Sequence, residues 1–448
     1  MRIIHWWLWS VAVIWWWAAW LMSVASIIEH YYWESVAGLS RKDTKPSVYL
    51  FEKNPRLWAK VIISWWWRCN VTTGTFKRKE LLENYPRWTE LLDTVFRSFG
   101  PKKVQQWFED HGVPLKQEAD GRIFPQSDNG HDVVWVFEKL FDAYDQCVTV
   151  LYKYGVDSLT APTADSPWYR VVSNQCVYLV EYVLIATWWQ AFRHTWSDWD
   201  WYTFAQALWH TITQLWPSLN SFLTKERWLH DCSGISLPNA YLNFAPAHEL
   251  WQIPKKYAWP VLLTHFWITW PHVFIVASLS AFTSIDEHHP LCLHLCLDVS
   301  KDQSWRDRFL IESSLAHPKK LLLSIISQHL PKRLIEALFV EYGINKLLSM
   351  SELSKHDRKK IAWVLWWWIC LHCIKRRPWD EFVTAWWVPI TEVNHHTMES
   401  NILQKLFFSW EILDVDWFTG WYNLQASRAS GWVAGKTIAD KIGMSNIW

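Results

Sequence analysis

Glycine is scarce. The chain has 13 glycines in 448 residues, less than half of the ~7% usual in proteins. A chain this long needs many turns, and turns with φ > 0 need glycine. The written sequence is therefore short of the residue its own loops require. An excess of either charge is missing too. Lys and Arg number 44 against 43 Asp and Glu, a net +1, which gives no electrostatic case for nucleic acid or an anionic membrane as partner. Eight cysteines in a chain of this size exclude a disulfide framework. The length suffices for two or three domains with cores of their own.

What the sequence has in excess is tryptophan, 41 residues. Residues 11–29, "VAVIWWWAAWLMSVASIIE", show the problem. A strand-like run, Val11-Ala12-Val13-Ile14, enters three tryptophans, and Ala18-Ala19-Trp20-Leu21-Met22 then opens like a helix. Strand, short turn, helix is where nucleotide-binding proteins place glycines. Taken literally, residues 3–28 carry no charge apart from a protonated His5 and are long enough to span a bilayer. But Trp favours membrane interfaces, and Trp15, Trp16 and Trp17 would sit near the bilayer centre. No membrane partner is expected.

The other clusters share one context. "KVIISWWWRCNVTT" (60–73), "LIATWWQAF" (184–192), "PVLLTHFWITWP" (260–271), "TAWWVPITEVN" (384–394) and "SWEILDVDWFTGWYNLQ" (409–425) set Trp beside Ser, Thr, Asp or Asn, in breaks between apolar runs. That is turn context. Buried aromatics recur instead at period 2 or 3.6 among Val, Ile and Leu. Two cysteine spacings also stand out, Cys370-Leu-His-Cys373 and Cys292-Leu-His-Leu-Cys296. A metal would need further ligands close in space. The plainer reading packs these cysteines as apolar residues, and no metal is assigned.

Read with glycine for tryptophan, the clusters become "VAVIGGGAAGLM", "SGGGRCN", "ATGGQAF", "LLTHFGITGP", "TAGGVPITEVN" and "SGEILDVDGFTGGYNLQ", in order along the chain. So read, the sequence resembles the NAD(P)/FAD-dependent oxidoreductase family that includes aminoacetone oxidase-like and bile-acid-reducing flavoproteins. "HLPKRLIEAL" (329–338), Arg68-Cys69-Asn70, Thr264-His265, Thr397-Met398-Glu399 and Tyr422-Asn423 fit it unchanged. Gly112, Gly121, Gly420 and Gly431 survive, and Trp107 fits as tryptophan, so the exchange is not a blanket one. A codon-specific cause would explain the mixture: a gene that reads UGA as glycine, translated with a table that reads it as tryptophan.

The resemblance implies FAD as cofactor, with NAD(P)H as candidate reductant. Positions Trp15, Trp16, Trp17 and Trp20 then form the dinucleotide fingerprint. A glycine at 15 makes the tight turn, one at 17 admits the pyrophosphate, and one at 20 lets helix and strand pack closely. Glu52, ending "VYLFE", is the expected partner of the ribose hydroxyls. It lies farther along than the usual ~20 residues, which points to an insertion around Tyr31–Lys45. Arg68 is expected to face a phosphate or the flavin, and Asn70 to hydrogen-bond it. Ala186 and Thr187 are expected to pass the adenine or ribose side. Asp414 is placed at the ribityl chain, with Gly420, Tyr422 and Asn423 along the isoalloxazine edge. His265 is a candidate general acid; a buried hydrogen-bonded histidine is the competing reading.

The fold class implied is α/β: a discontinuous Rossmann-like FAD-binding domain over residues 1–208 and 381–448. Residues 209–297, with a return at 366–380, read as an inserted β domain of short segments. Residues 298–365 are helical in pattern and read as a lid or packing subdomain. The expectation is a cytoplasmic flavoprotein oxidoreductase acting on a small molecule, with substrate, catalytic acid or base and oligomeric state unread. The alternatives are a flavin-less scaffold of the same fold or, with literal tryptophans, a membrane-anchored Trp-rich protein. The literal chain is expected to be inactive. Three indoles would fill the pyrophosphate path, and overpacking costs about 1–3 kcal/mol per site against a domain stability of about 5–15 kcal/mol.

Overall fold

A computed structural model describes residues 2–5, 9–14, 18–36, 47–55, 68–85, 87–186, 200–213, 216–245, 259–366, 369–377, 383–385, 388–409, 412–413 and 420–445. The chain divides into two compact units, Met1–Leu215 with Ala385–Trp448, and Trp216–Thr384. In chain order, the elements that carry function are β1 (Ser10–Ile14), α1 (Ala18–Val36), β2 (Ser47–Glu52), β3 (Val148–Tyr152), β4 (Tyr182–Ile185), β5 (Phe222–Thr224), β6 (Tyr241–Ala245), β7 (Leu291–Cys296), α2 (Lys332–Glu341), β8 (Ile369–Arg376), β9 (Leu406–Phe408) and α3 (Gly420–Ser445).

The first unit is built on a five-stranded sheet of order β9-β4-β1-β2-β3, parallel at every pairing. Its central strands are apolar on both faces, as a parallel sheet covered by helices requires. Val11, Ala12, Val13, Val183, Leu184 and Ile185 are fully buried. β1, α1 and β2 form one βαβ crossover. This is the mixed α/β, Rossmann-like architecture that the sequence implied. Residues 31–36, expected within an insertion, continue α1; residues 37–46 lie outside the described residues. The segment 3–28 divides into strand and helix. Among the described residues, no helix is long and apolar enough to cross a membrane.

The second unit holds a seven-stranded antiparallel sheet. From edge to edge it runs Ser236–Leu237, Val261–Leu263, Trp267–Thr269, β5, β8, β7 and β6. Helices Gln303–Ala316, Leu322–Ile326, α2 and Lys355–Trp366 follow β7 in the chain.

Twelve non-glycine residues hold positive φ among the described residues, and four are tryptophans: Trp9 (φ 80), Trp88 (φ 62), Trp209 (φ 65) and Trp270 (φ 90). Trp270 also has ψ 173, a region used essentially by glycine alone. The indoles of Trp209 and Trp270 are exposed, at 65% and 49%. No core packing therefore compensates for the backbone conformation at these two positions.

Candidate functional site

The crevice beyond the carboxyl ends of parallel strands is where such sheets bind ligands. β1 ends at Ile14, which lies opposite Phe51 in the register. Glu52 therefore stands one residue past that pair, beside the β1–α1 connection. Trp15, Trp16 and Trp17 occupy this connection and lie outside the described residues. Glu52 is fully buried. Its Oε1 accepts the Asn54 N–H at 2.5 Å, while Oε2 has no hydrogen-bond partner among the described residues. Burial pushes the carboxyl up to about 9, with the Asn54 hydrogen bonds pulling weakly the other way.

Asn70 presents a second set of unpaired atoms. It is fully buried, and neither its Oδ1 nor its Nδ2 has a hydrogen-bond partner among the described residues. The neighbouring backbone is pinned to α3. Thr72 Oγ1 donates to Gln425 Oε1 at 2.5 Å, Gln425 Nε2 donates to the Phe99 carbonyl at 3.0 Å, and Arg428 Nη1 donates to the Val71 carbonyl. Burial lowers the Arg428 guanidinium to about 10. Three residues on, Gly431 meets the Ala19 backbone in the first turn of α1. α3 thus contacts both the segment at Val71 and the first turn of α1. Leaving a buried amide or carboxylate oxygen unpaired costs about 1–3 kcal/mol or more, and a polar ligand offering hydroxyls and ring acceptors would remove that cost. The residues present fit a dinucleotide.

The remaining sequence candidates are dispersed. Trp20 is buried in α1, its ring 6.1 Å from that of Phe141, so this indole faces a neighbouring helix. Arg68 is held by Glu118 and Asp128 and stacks over Phe124 at 4.2 Å. Ala186 is buried at the end of β4, its N–H bonded to the Ile14 carbonyl at 2.9 Å, which sets it beside the same strand end. Gly420 opens α3. Tyr422 and Asn423 are buried in its first turn, and the Tyr85 hydroxyl donates to the Tyr422 carbonyl at 2.7 Å. Thr187 and Asp414 lie outside the described residues. His265 is exposed in the bend between Val261–Leu263 and Trp267–Thr269, and the buried-histidine reading does not apply to it. Sequence reading assigns no role to Gln425, Arg428 or Gly435, and marks Gly431 only as a glycine that survives. Two glycines four apart in a glycine-poor chain were the available signal.

The chain is similar to several known proteins. The chain is 21% identical over 418 residues to a 3-dehydro-bile acid delta(4,6)-reductase of Clostridium scindens, covering 90% of this chain and 95% of that protein. It is 30% identical over 132 residues to a ribosomal RNA dihydrouridine synthase of Escherichia coli, a stretch that spans 30% of this chain and only 33% of that relative. Among solved structures, the E. coli quinol fumarate reductase FrdA matches at 11% identity and TM-score 0.46, over 99% of this chain and 72% of that one. A family profile, the HI0933-like protein Rossmann domain, matches residues 36–437, and the chain belongs to that family.

Proposed function

We propose that this protein is an FAD-dependent oxidoreductase that takes electrons from NAD(P)H and passes them to a small molecule. One observation carries the reading: the buried, half-unpaired carboxylate of Glu52 at the carboxyl edge of the parallel sheet, next to the end of β1. A ribose diol, which both donates and accepts, supplies the partner that Oε2 lacks. Asn70, with both side-chain amide atoms unpaired among the described residues, would offer its amide to the flavin. The β1–α1 connection and the first turn of α1 would take the pyrophosphate on free backbone N–H groups. When bound, the flavin supplies hydride and electron chemistry.

That pyrophosphate site requires small residues at 15–17. We therefore propose that the clustered tryptophans are glycines in the working protein, the gene reading UGA as glycine. The backbone at Trp9, Trp88, Trp209 and Trp270 supports this independently of any motif. Reading the codons is the direct check; UGG at 15–17 and 65–67 would sink the idea.

The relatives' names support redox work and differ in what is acted on, a bile acid in one and ribosomal RNA in the other. The balanced net charge favours a small substrate here, because RNA binding draws on many cationic contacts to phosphate. All eight cysteines are free thiols, in keeping with the proposed reducing cytoplasm. The test is to make the chain with glycine at the motif positions and record its absorbance with and without NADH or NADPH. A flavin spectrum bleached by one of them is expected. A colourless, folded protein would favour the scaffold reading, and a yellow protein inert to both nucleotides would remove NAD(P)H.

A further inference from the structure

The second unit holds a cluster unrelated to the flavin reading. β7 and β8 pair antiparallel with Cys292 opposite His372 and His294 opposite Cys370. Alternation along each strand puts these four side chains on one face. Leu291, Leu293, Leu295, Ile369, Leu371 and Cys373 go to the other face and are buried. The Cys370-Leu-His-Cys373 spacing thus does not act within itself: Cys370 and Cys373 point to opposite sides of the sheet. The two strands instead combine one cysteine from each. The Cys292 and Cys370 sulfurs and a ring nitrogen of His372 all lie within 4.8 Å of one another, with Cys370 Sγ 3.8 Å from His372 Nε2.

The other ring nitrogen is already committed. His372 Nδ1 bonds Glu226 Oε1 at 2.7 Å. The same carboxylate accepts the His372 backbone N–H at 3.0 and 3.1 Å, and the Lys225 N–H donates to the His372 carbonyl at 3.0 Å. Glu226 follows β5, which neighbours β8 in the sheet. A carboxylate that takes Nδ1–H fixes the tautomer, so the Nε2 lone pair faces the two sulfurs. This is the outer-shell arrangement that metal-binding histidines almost always have.

We propose that Cys292, Cys370 and His372 bind one zinc-class divalent ion, with Glu226 orienting the histidine. Two thiolates and an imidazole are soft and borderline donors that suit zinc rather than magnesium or calcium. Zn–S of about 2.3 Å and Zn–N of about 2.0–2.1 Å ask for donors nearly 4 Å apart in a tetrahedron, so small side-chain rotations close the set. Three protein donors leave a fourth place for water or for His294, which stands across from Cys370 on the same face. Binding releases the thiol protons to solvent as the two sulfurs become thiolates.

The test uses the full-length protein, purified under reducing conditions without chelator. Bound zinc is expected at about one ion per chain. Cobalt(II) in its place should give thiolate-to-metal charge-transfer absorption. Cys292→Ser and Cys370→Ser should each lose the metal, and Cys176→Ser, in the first unit, should keep it. Glu226→Gln should weaken affinity by about 10–100-fold. Should the serine variants misfold, alkylation of the unmodified protein decides: zinc should protect Cys292 and Cys370, and a chelator should expose them. No metal retained after loading, cobalt absorbance without the thiolate band, or equal zinc in the Cys292→Ser/Cys370→Ser double variant overturns the site. So does a Cys292–Cys370 disulfide in protein kept anaerobic.

Discussion

Gly431 of α3 lies directly on the backbone of Ala19 in α1. A Cβ at 431 would stand 2.8 Å from the Ala19 carbonyl carbon and closer still to its oxygen. One turn on, a Cβ at Gly435 would meet Ser26 Cβ at 2.9 Å. The two glycines let the helices touch backbone to backbone, and Ser26 Oγ seals the contact by donating to the Trp432 carbonyl at 2.8 Å. The crossing fixes the first turn of α1, on which the proposed pyrophosphate site depends.

Gly431→Ala should therefore cost stability and cofactor together. The clash is with backbone, which cannot rotate away, so a loss at or above the about 1–3 kcal/mol typical of overpacking is expected in denaturant unfolding. Flavin content should fall in the same variant. Full stability would show that the helices separate without strain.

Glu52 makes the ligand-free protein sensitive to pH. Its carboxyl is raised from 4.5 to about 9 by burial. Between those values the unfolded chain has lost the proton and the native state has kept it. Stability is thus fullest below about pH 4.5 and falls as pH rises towards 9, by at most about 1.4 kcal/mol per pH unit from this group. Glu52→Gln should flatten that slope. It should also weaken FAD binding, because ribose hydroxyls can draw the carboxyl to its charged form, which accepts them more strongly than an amide does. An unchanged slope with unchanged FAD affinity would remove Glu52 from the site.

Arg68 should matter little. Its guanidinium is engaged by Glu118 and Asp128, with all three side chains at least a quarter exposed. Partly exposed ion pairs contribute little to stability. Arg68→Ala should leave flavin content close to that of the parent. A sharp loss of flavin would show that the arginine leaves these partners for a phosphate when the cofactor binds.

Trp270→Gly should stabilise the chain as written. The backbone there sits at φ 90, ψ 173, a conformation that costs a Cβ-bearing residue about 1–3 kcal/mol, and the exposed indole contributes little packing in return. A higher midpoint of thermal unfolding is the expected result; an unchanged or lower one would mean that the tryptophan is accommodated without strain.

The sheet and its crossover were legible because their signals are local. Val11–Ile14 and Val48–Glu52 are short apolar runs, and Ala18–Met22 opens a helix. Glu52 could be found because its place depends only on where a strand ends. The crossing of Gly431 on Ala19 joins residues about 400 apart and leaves no periodic trace. The spacings that hold Cys292, Cys370 and His372 stood out, but their meeting did not, for the same reason: a strand sends Cys370 and Cys373 to opposite faces, and only the β7–β8 register brings the right cysteines together. Tyr31–Val36, expected within an insertion, continues α1, and the run holds no proline or glycine that would end the helix.

The most direct measurement is the flavin-to-protein ratio of two chains that differ at one residue. Both carry glycine at the motif positions, and one has tryptophan returned at 17. The parent should purify yellow, with close to one flavin per chain. The Trp17 chain should fold and be nearly colourless, because the indole fills the pyrophosphate path. A third chain with Trp251→Gly, a change outside every motif, serves as the control and should leave the ratio unchanged. A Trp17 chain that retains its full flavin would contradict the account, since the β1–α1 connection would then not hold the cofactor.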